Sequence, residues 1–234
     1  MGLSASFIAR LNDEGAAVAS DLESPSDTLL VAFGGRAGGL GIPPFDFIGL
    51  TADISTKRLF LRDLRGLWYQ RGVPGMGDDA DTLCEHLRRV IDESGVRRAI
   101  FVGNSMGGYA ALLFGALLDV HSVHAFSPVT FLHPLRRAVH LDFRFLSYGW
   151  ALRRAGRRYM RYADLKRVLN ARQFATPLHV YFSTAHRGDS AHVRRIAGCP
   201  HVVLHRYAEG GHLLARHLRD TGELRQILRG ALLT

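Results

Sequence analysis

The chain has 234 residues, 47% hydrophobic and 22% charged, enough apolar mass for one buried domain and too apolar for a disordered chain. Its two cysteines, Cys84 and Cys199, exclude a disulfide scaffold and a cysteine-rich zinc site and fit a reducing compartment, so a cytoplasmic location is expected. The formal charge of +9 is local: eleven basic and two acidic residues lie between Val129 and Pro177, and the rest of the chain is balanced.

The opening residues Met1 to Phe7 lack the basic start and apolar run of a secretory signal. Asn12-Asp13-Glu14-Gly15 reads as the turn of a hairpin that would give an antiparallel edge. Six apolar runs then follow in order: residues 28–33, 58–61, 99–102, 122–126, 178–182 and 201–204. Their near-continuous apolar character suits strands covered on both faces, as in a parallel sheet. Helical spacing appears between them, over 79–94, 189–197 and 221–233. Strand–helix alternation predicts an α/β fold, a mostly parallel central sheet flanked by helices, in a single domain spanning 1–234. Residues 129–177 interrupt the alternation and read as a basic helical insertion, a lid or cap, with Arg153, Arg154, Arg157, Arg158 and Arg161 on one helical face. Ala99 to Leu118 carries no charge over a membrane-spanning length, but its polar, glycine-rich centre predicts strand, turn and buried helix, so no transmembrane segment is expected.

That centre, Gly103-Asn104-Ser105-Met106-Gly107, matches G-x-S-x-G between a strand and a helix. A strand running straight into a helix forces the serine into a strained turn that closes only if its neighbours two positions away are small. The turn lifts the hydroxyl above the carboxyl edge of the sheet, where a nucleophile is useful. A serine hydroxyl needs a base, and the base an orienting carboxylate, in the chain order Ser, Asp or Glu, His. Position selects among the twelve histidines. His212 follows Glu209-Gly210-Gly211 in the loop after the last strand, where the base belongs. His121 and His124 read as structural strand residues, His201 and His205 alternate along another strand and form no metal pair, and His217 reads as surface. Asp189 is the single acid in the loop after the strand ending near Phe182, with helix capping as its alternative role.

Acyl transfer also needs N–H donors for the developing oxyanion. Met106, directly after the nucleophile, supplies one, and the glycine-rich loop Gly34-Gly35-Arg36-Ala37-Gly38-Gly39 supplies the second, Gly35 before Arg36. That loop lacks the G-K-S/T ending of a phosphate cradle. With Phe33-Gly34-Gly35, Gly103-Asn104-Ser105-Met106-Gly107-Gly108 and Gly210-Gly211-His212, the sequence resembles the serine-dependent α/β-hydrolases over nearly its whole length. Phe33 stands where many relatives of that family carry a histidine.

The resemblance implies a serine hydrolase of esters or thioesters, with catalytic Ser105, Asp189 and His212, oxyanion donors Met106 and Gly35, and no metal or organic cofactor. Arg36, Trp68 and Tyr69 are candidate substrate contacts, the last two in the loop after the 58–61 strand. The basic insertion suggests an anionic or carrier-bound acyl substrate, or an acidic protein partner. Transfer to an acceptor other than water, and a non-catalytic binding module on a hydrolase scaffold, are the alternatives. No nucleic-acid recognition motif accompanies the charge, so no nucleic-acid partner is expected.

Overall fold

Each of the six apolar runs forms a strand. The computed structural model describes residues 5–36, 47–140, 142–144 and 146–233. The elements are α1 Ala5–Leu11, β1 Val18–Asp21, β2 Thr28–Phe33, α2 Ile48–Thr51, β3 Lys57–Leu61, α3 Ala80–Ser94, β4 Arg98–Asn104, α4 Met106–Leu118 and β5 Ser122–Phe126. They continue with α5 Pro134–Val139, α6 Leu146–Ala155, α7 Leu165–Ala171, β6 Leu178–Ser183, α8 Arg187–Ile196, β7 Val202–Tyr207, α9 Leu214–Asp220 and α10 Glu223–Leu233. The sheet order is β1-β3-β2-β4-β5-β6-β7. β1 runs antiparallel to β3, and all other neighbouring pairs are parallel.

Side chains alternate across a strand, so β2 and β4 feed two cores. Leu29, Val31, Phe33 and Phe101 pack with Leu83 and Leu87 of α3 and Leu112 and Leu113 of α4. Leu30, Ala32, Ile100 and Val102 face the other way, onto Phe7, Leu218, Leu224 and Leu228. Each buried Leu, Ile, Val or Phe contributes about 1.5–3 kcal/mol relative to exposure. α3 starts where the Asp79 side chain accepts from the Thr82 N–H at 2.9 Å and ends at Gly95, φ 62°. α4 is buried from Met106 to Leu117, so it lies within the layers.

Two segments depart from the sequence expectation. Residues 12–15 do not turn a hairpin: the segment before them is helix α1, because Phe7 and Leu11, four apart, both pack on the core. The antiparallel edge exists, but β1 obtains it by pairing with β3. The arginine stripe of the insertion is likewise broken. α6 stops at Ala155, Gly156 takes φ 132°, and Arg157 and Arg158 lie in a separate 3-10 turn, Arg157–Met160. Arg161 leaves the stripe to pair with Asp81 at 2.8 Å. Among the described residues no helix is long and apolar enough to cross a membrane.

Candidate active site

The tight connection between β4 and α4 determines the conformation of Ser105. Its backbone sits at φ 53°, ψ −107°, a sparsely populated region that costs on the order of 1–3 kcal/mol and needs surrounding structure to hold it. Its N–H donates to the Phe126 carbonyl at 2.8 Å, and its carbonyl accepts from the Tyr109 N–H at 3.1 Å. The flanking glycines are required by space. A Cβ on Gly103 would overlap the Gly107 carbonyl, and one on Gly107 would overlap the Phe33 carbonyl beside Gly34. Gly107→Ala is therefore expected to destabilise the fold by about 3 kcal/mol or more, read as a lowered urea midpoint.

His212 arrives on a 3-10 turn, Gly211–Leu213, entered through Gly210 at φ 84° and Gly211 at φ 53°. Its Nε2 lies 3.3 Å from Ser105 Oγ, and its Nδ1 lies 2.9 Å from both carboxylate oxygens of Asp189. The Nδ1–H donating to Asp189 leaves Nε2 as acceptor for the serine proton. Asp189 is in the first turn of α8, but it does not cap that helix. His186 does, its Nδ1 accepting from the Asp189 N–H at 3.1 Å. The Asp189 carboxylate, 1% exposed, turns instead to side chains, His212 among them. Burial pushes that carboxyl up, but His212, Arg144 and His186 together pull it below the usual carboxylate range. The structure thus brings Ser105, Asp189 and His212 into one hydrogen-bonded line.

The other expected residues are placed differently. Met106 opens α4, and Gly35 follows Gly34, whose N–H donates to the Leu61 carbonyl at 2.8 Å to extend the sheet pairing. Of the remaining glycine loop, residues 37–39 lie outside the described residues. The exposed Arg36 places its guanidinium 4.2 Å from the centroid of the Tyr148 ring and donates to that hydroxyl, linking the loop after β2 to α6. Trp68 and Tyr69 are core residues, 1% and 0% exposed. The Tyr69 hydroxyl lies 2.9 Å from the Gly34 carbonyl and 3.0 Å from that of Leu61, so it braces the glycine loop from beneath. Asp63 folds their turn by accepting from the N–H groups of Leu67 at 2.6 Å and Tyr69 at 2.9 Å.

Sequence reasoning missed Arg144 and His186. Both Nη atoms of Arg144 lie 3.2 Å from Asp189 Oδ1. The rings of His186 and His212 are 5.4 Å apart, centroid to centroid. Among the described residues, His186, Asp189 and His212 are the one trio close enough to share a metal ion. The Arg144 guanidinium on the same carboxylate oxygen opposes a cation there.

No protein-family model matches the chain, and no curated protein matches it. Solved structures do. The capsule O-acetyltransferase of Neisseria meningitidis serogroup A superposes with TM-score 0.62 at 13% identity, over 89% of this chain and 90% of that one. An esterase of Pyrococcus furiosus gives 0.56 at 14% identity, over 92% and 84%. The carboxylesterase CesB of Bacillus subtilis gives 0.53 at 13% identity, over 91% and 86%. At these identities the likeness is one of fold.

Proposed function

We propose that this chain, an α/β-hydrolase by fold, transfers an acyl group from an ester or thioester through Ser105. The observation that carries the reading is the line from Ser105 Oγ to His212 Nε2 at 3.3 Å and from His212 Nδ1 to Asp189 at 2.9 Å. As Oγ bonds to the substrate carbonyl carbon, His212 takes its proton and Asp189 stabilises the imidazolium. The N–H groups of Met106 and Gly35 hold the oxyanion. Collapse of the tetrahedral adduct expels the alcohol or thiol, which takes the proton back from His212. Water, deprotonated by the same imidazole, then releases the acid and regenerates Ser105.

A second reading, transfer to an acceptor other than water or from a carrier protein, is favoured by one observation: the excess of basic residues in the segment that carries α5, α6 and α7. On this reading that segment is a lid that attracts an anionic substrate or an acidic partner. Cys84, its thiol pushed up to about 11 mainly by burial, and the buried Cys199 fit a reducing, cytoplasmic setting. The test is a fluorophosphonate probe read by intact mass. One adduct is expected on the native protein and none on Ser105→Ala; an adduct that survives the substitution overturns the reading. Exposure to mixed esters and thioesters then reports the acyl group by its mass. A native protein that forms no adduct but holds an acidic partner would point to a binding module instead.

A further inference from the structure

We propose that Arg144, contributed by the basic insertion, is a positioning residue for the acid–base pair: it clamps the Asp189 carboxylate in the orientation that His212 requires. The inference rests on the Ser105–His212–Asp189 reading.

The clamp is anchored in both directions. Toward the site, Nη1 and Nη2 reach Asp189 Oδ1 at 3.2 Å. Away from it, Nε donates to Asp142 Oδ1 at 2.8 Å, and the Arg144 backbone N–H donates to the same oxygen at 3.2 Å. The other oxygen of Asp142 accepts from Arg137 Nη2 at 2.8 Å and His192 Nε2 at 2.9 Å. The side chains of Asp142 and Arg137 are each 1% exposed, and that of His192 is fully buried. The His192 tautomer is fixed because its Nδ1 accepts from the Thr130 N–H at 3.1 Å. Charges therefore alternate along Arg137, Asp142, Arg144 and Asp189, an arrangement in which each buried ion has an opposite neighbour. Burial pushes Asp142 up, but His192, Arg144 and Arg137 outweigh it and hold it far below the carboxylate range. Space is reserved as well: a Cβ on Gly188 would lie 2.7 Å from Arg144 Nη2.

The clamp bears on His212 through the carboxylate: the Arg144 fork holds Asp189 Oδ1, and His212 Nδ1 lies 2.9 Å from both Oδ1 and Oδ2. The groups facing His212 are Ser105 from the elbow, Asp189 and His186 from the start of α8, and Arg144 from the insertion. Glu209, on its own loop, is paired with His217 at 3.9 Å.

The experiment measures the second-order rate of fluorophosphonate labelling, which needs no known substrate. Arg144→Met is expected to label about 10- to 100-fold more slowly. Arg144→Lys should recover part of that loss, since the charge remains and the fork is gone. Gly188→Ala displaces the guanidinium without removing it and substitutes a better helix former, so it covers the case in which Arg144→Met does not fold. It should slow labelling by less. In an Asp189→Asn background Arg144→Met should slow labelling little further, because Arg144 acts through that carboxylate. An equal loss from Arg144→Met in the native and Asp189→Asn backgrounds makes Arg144 a structural strut and overturns the proposal. If the native protein does not label at Ser105, it is the underlying triad reading that fails instead.

Discussion

Alanine at Ser105, alanine at His212, and the two together are expected to lower turnover by nearly the same factor, about 10⁴- to 10⁶-fold. The reason lies in the geometry. On the proposed mechanism the hydroxyl is activated only through the imidazole 3.3 Å away, so removing either group removes the same step. Asp189→Asn is expected to cost about 10⁴-fold, because an amide on Nδ1 can favour the tautomer that puts the proton on Nε2 and blocks proton acceptance. Ser105 is partly exposed and its hydroxyl holds no part of the core, so thermal stability of Ser105→Ala should stay within about 1 kcal/mol of native. Steady-state rates on an ester that acylates the native protein check the series. Multiplying losses in the double variant would mean that Ser105 and His212 act separately, contrary to the mechanism.

Moving from pH 7 to pH 4 is expected to destabilise the fold by roughly 3 kcal/mol through one histidine in the sheet. His124 of β5 stacks on His179 of β6 at 4.9 Å, and His179 Nδ1 lies 3.1 Å from His205 Nε2 of β7. Burial, then the neighbouring His179 and His205, push His124 down to about 3. Its value falls on folding from about 6.5 in the unfolded chain. Below that pH the unfolded state binds the extra proton first, so the stabilisation is complete above about 6.5 and declines steadily down to about 3. Urea unfolding at the two pH values measures the loss, and His124→Phe should reduce it. An equal loss in native and variant would assign the acid sensitivity to other groups.

The sequence revealed the scaffold because the strands that matter are buried on both faces and read as apolar runs with sharp limits. Residues 28–33 match β2 to the residue. The elbow was legible because its glycines answer a steric demand that spacing expresses directly. His212 and Asp189 could be placed because chain order relative to the strands fixes which loop each occupies. What was not legible depends on contacts between distant parts of the chain. Trp68 and Tyr69 stand at φ 54° and 58°, a backbone choice that only the Asp63 turn and the core beneath the glycine loop explain, so their burial had no local signal. Arg144 reaches an acid 45 positions away, and one arginine among many offers no pattern. The available clue was Asp142, one of only two acids in the basic stretch from 129 to 177. Residues 12–15 carry the chemistry of a hairpin turn, but the apolar spacing of Phe7 and Leu11 makes the segment before them a helix.

The contact of Gly107 with the Phe33 carbonyl couples two parts of the machinery that evolution would otherwise adjust one at a time. Any drift of α4 carries the serine and presses on the neighbouring glycine loop together, so neither can be re-aimed alone. On the proposed function, divergence toward a new acyl group would be confined to side chains outside this shared joint, Arg36 and the surface of residues 129–177 among them. Mutational libraries that spare residues 103–108 and vary those positions should retain far more working enzymes than libraries that vary both.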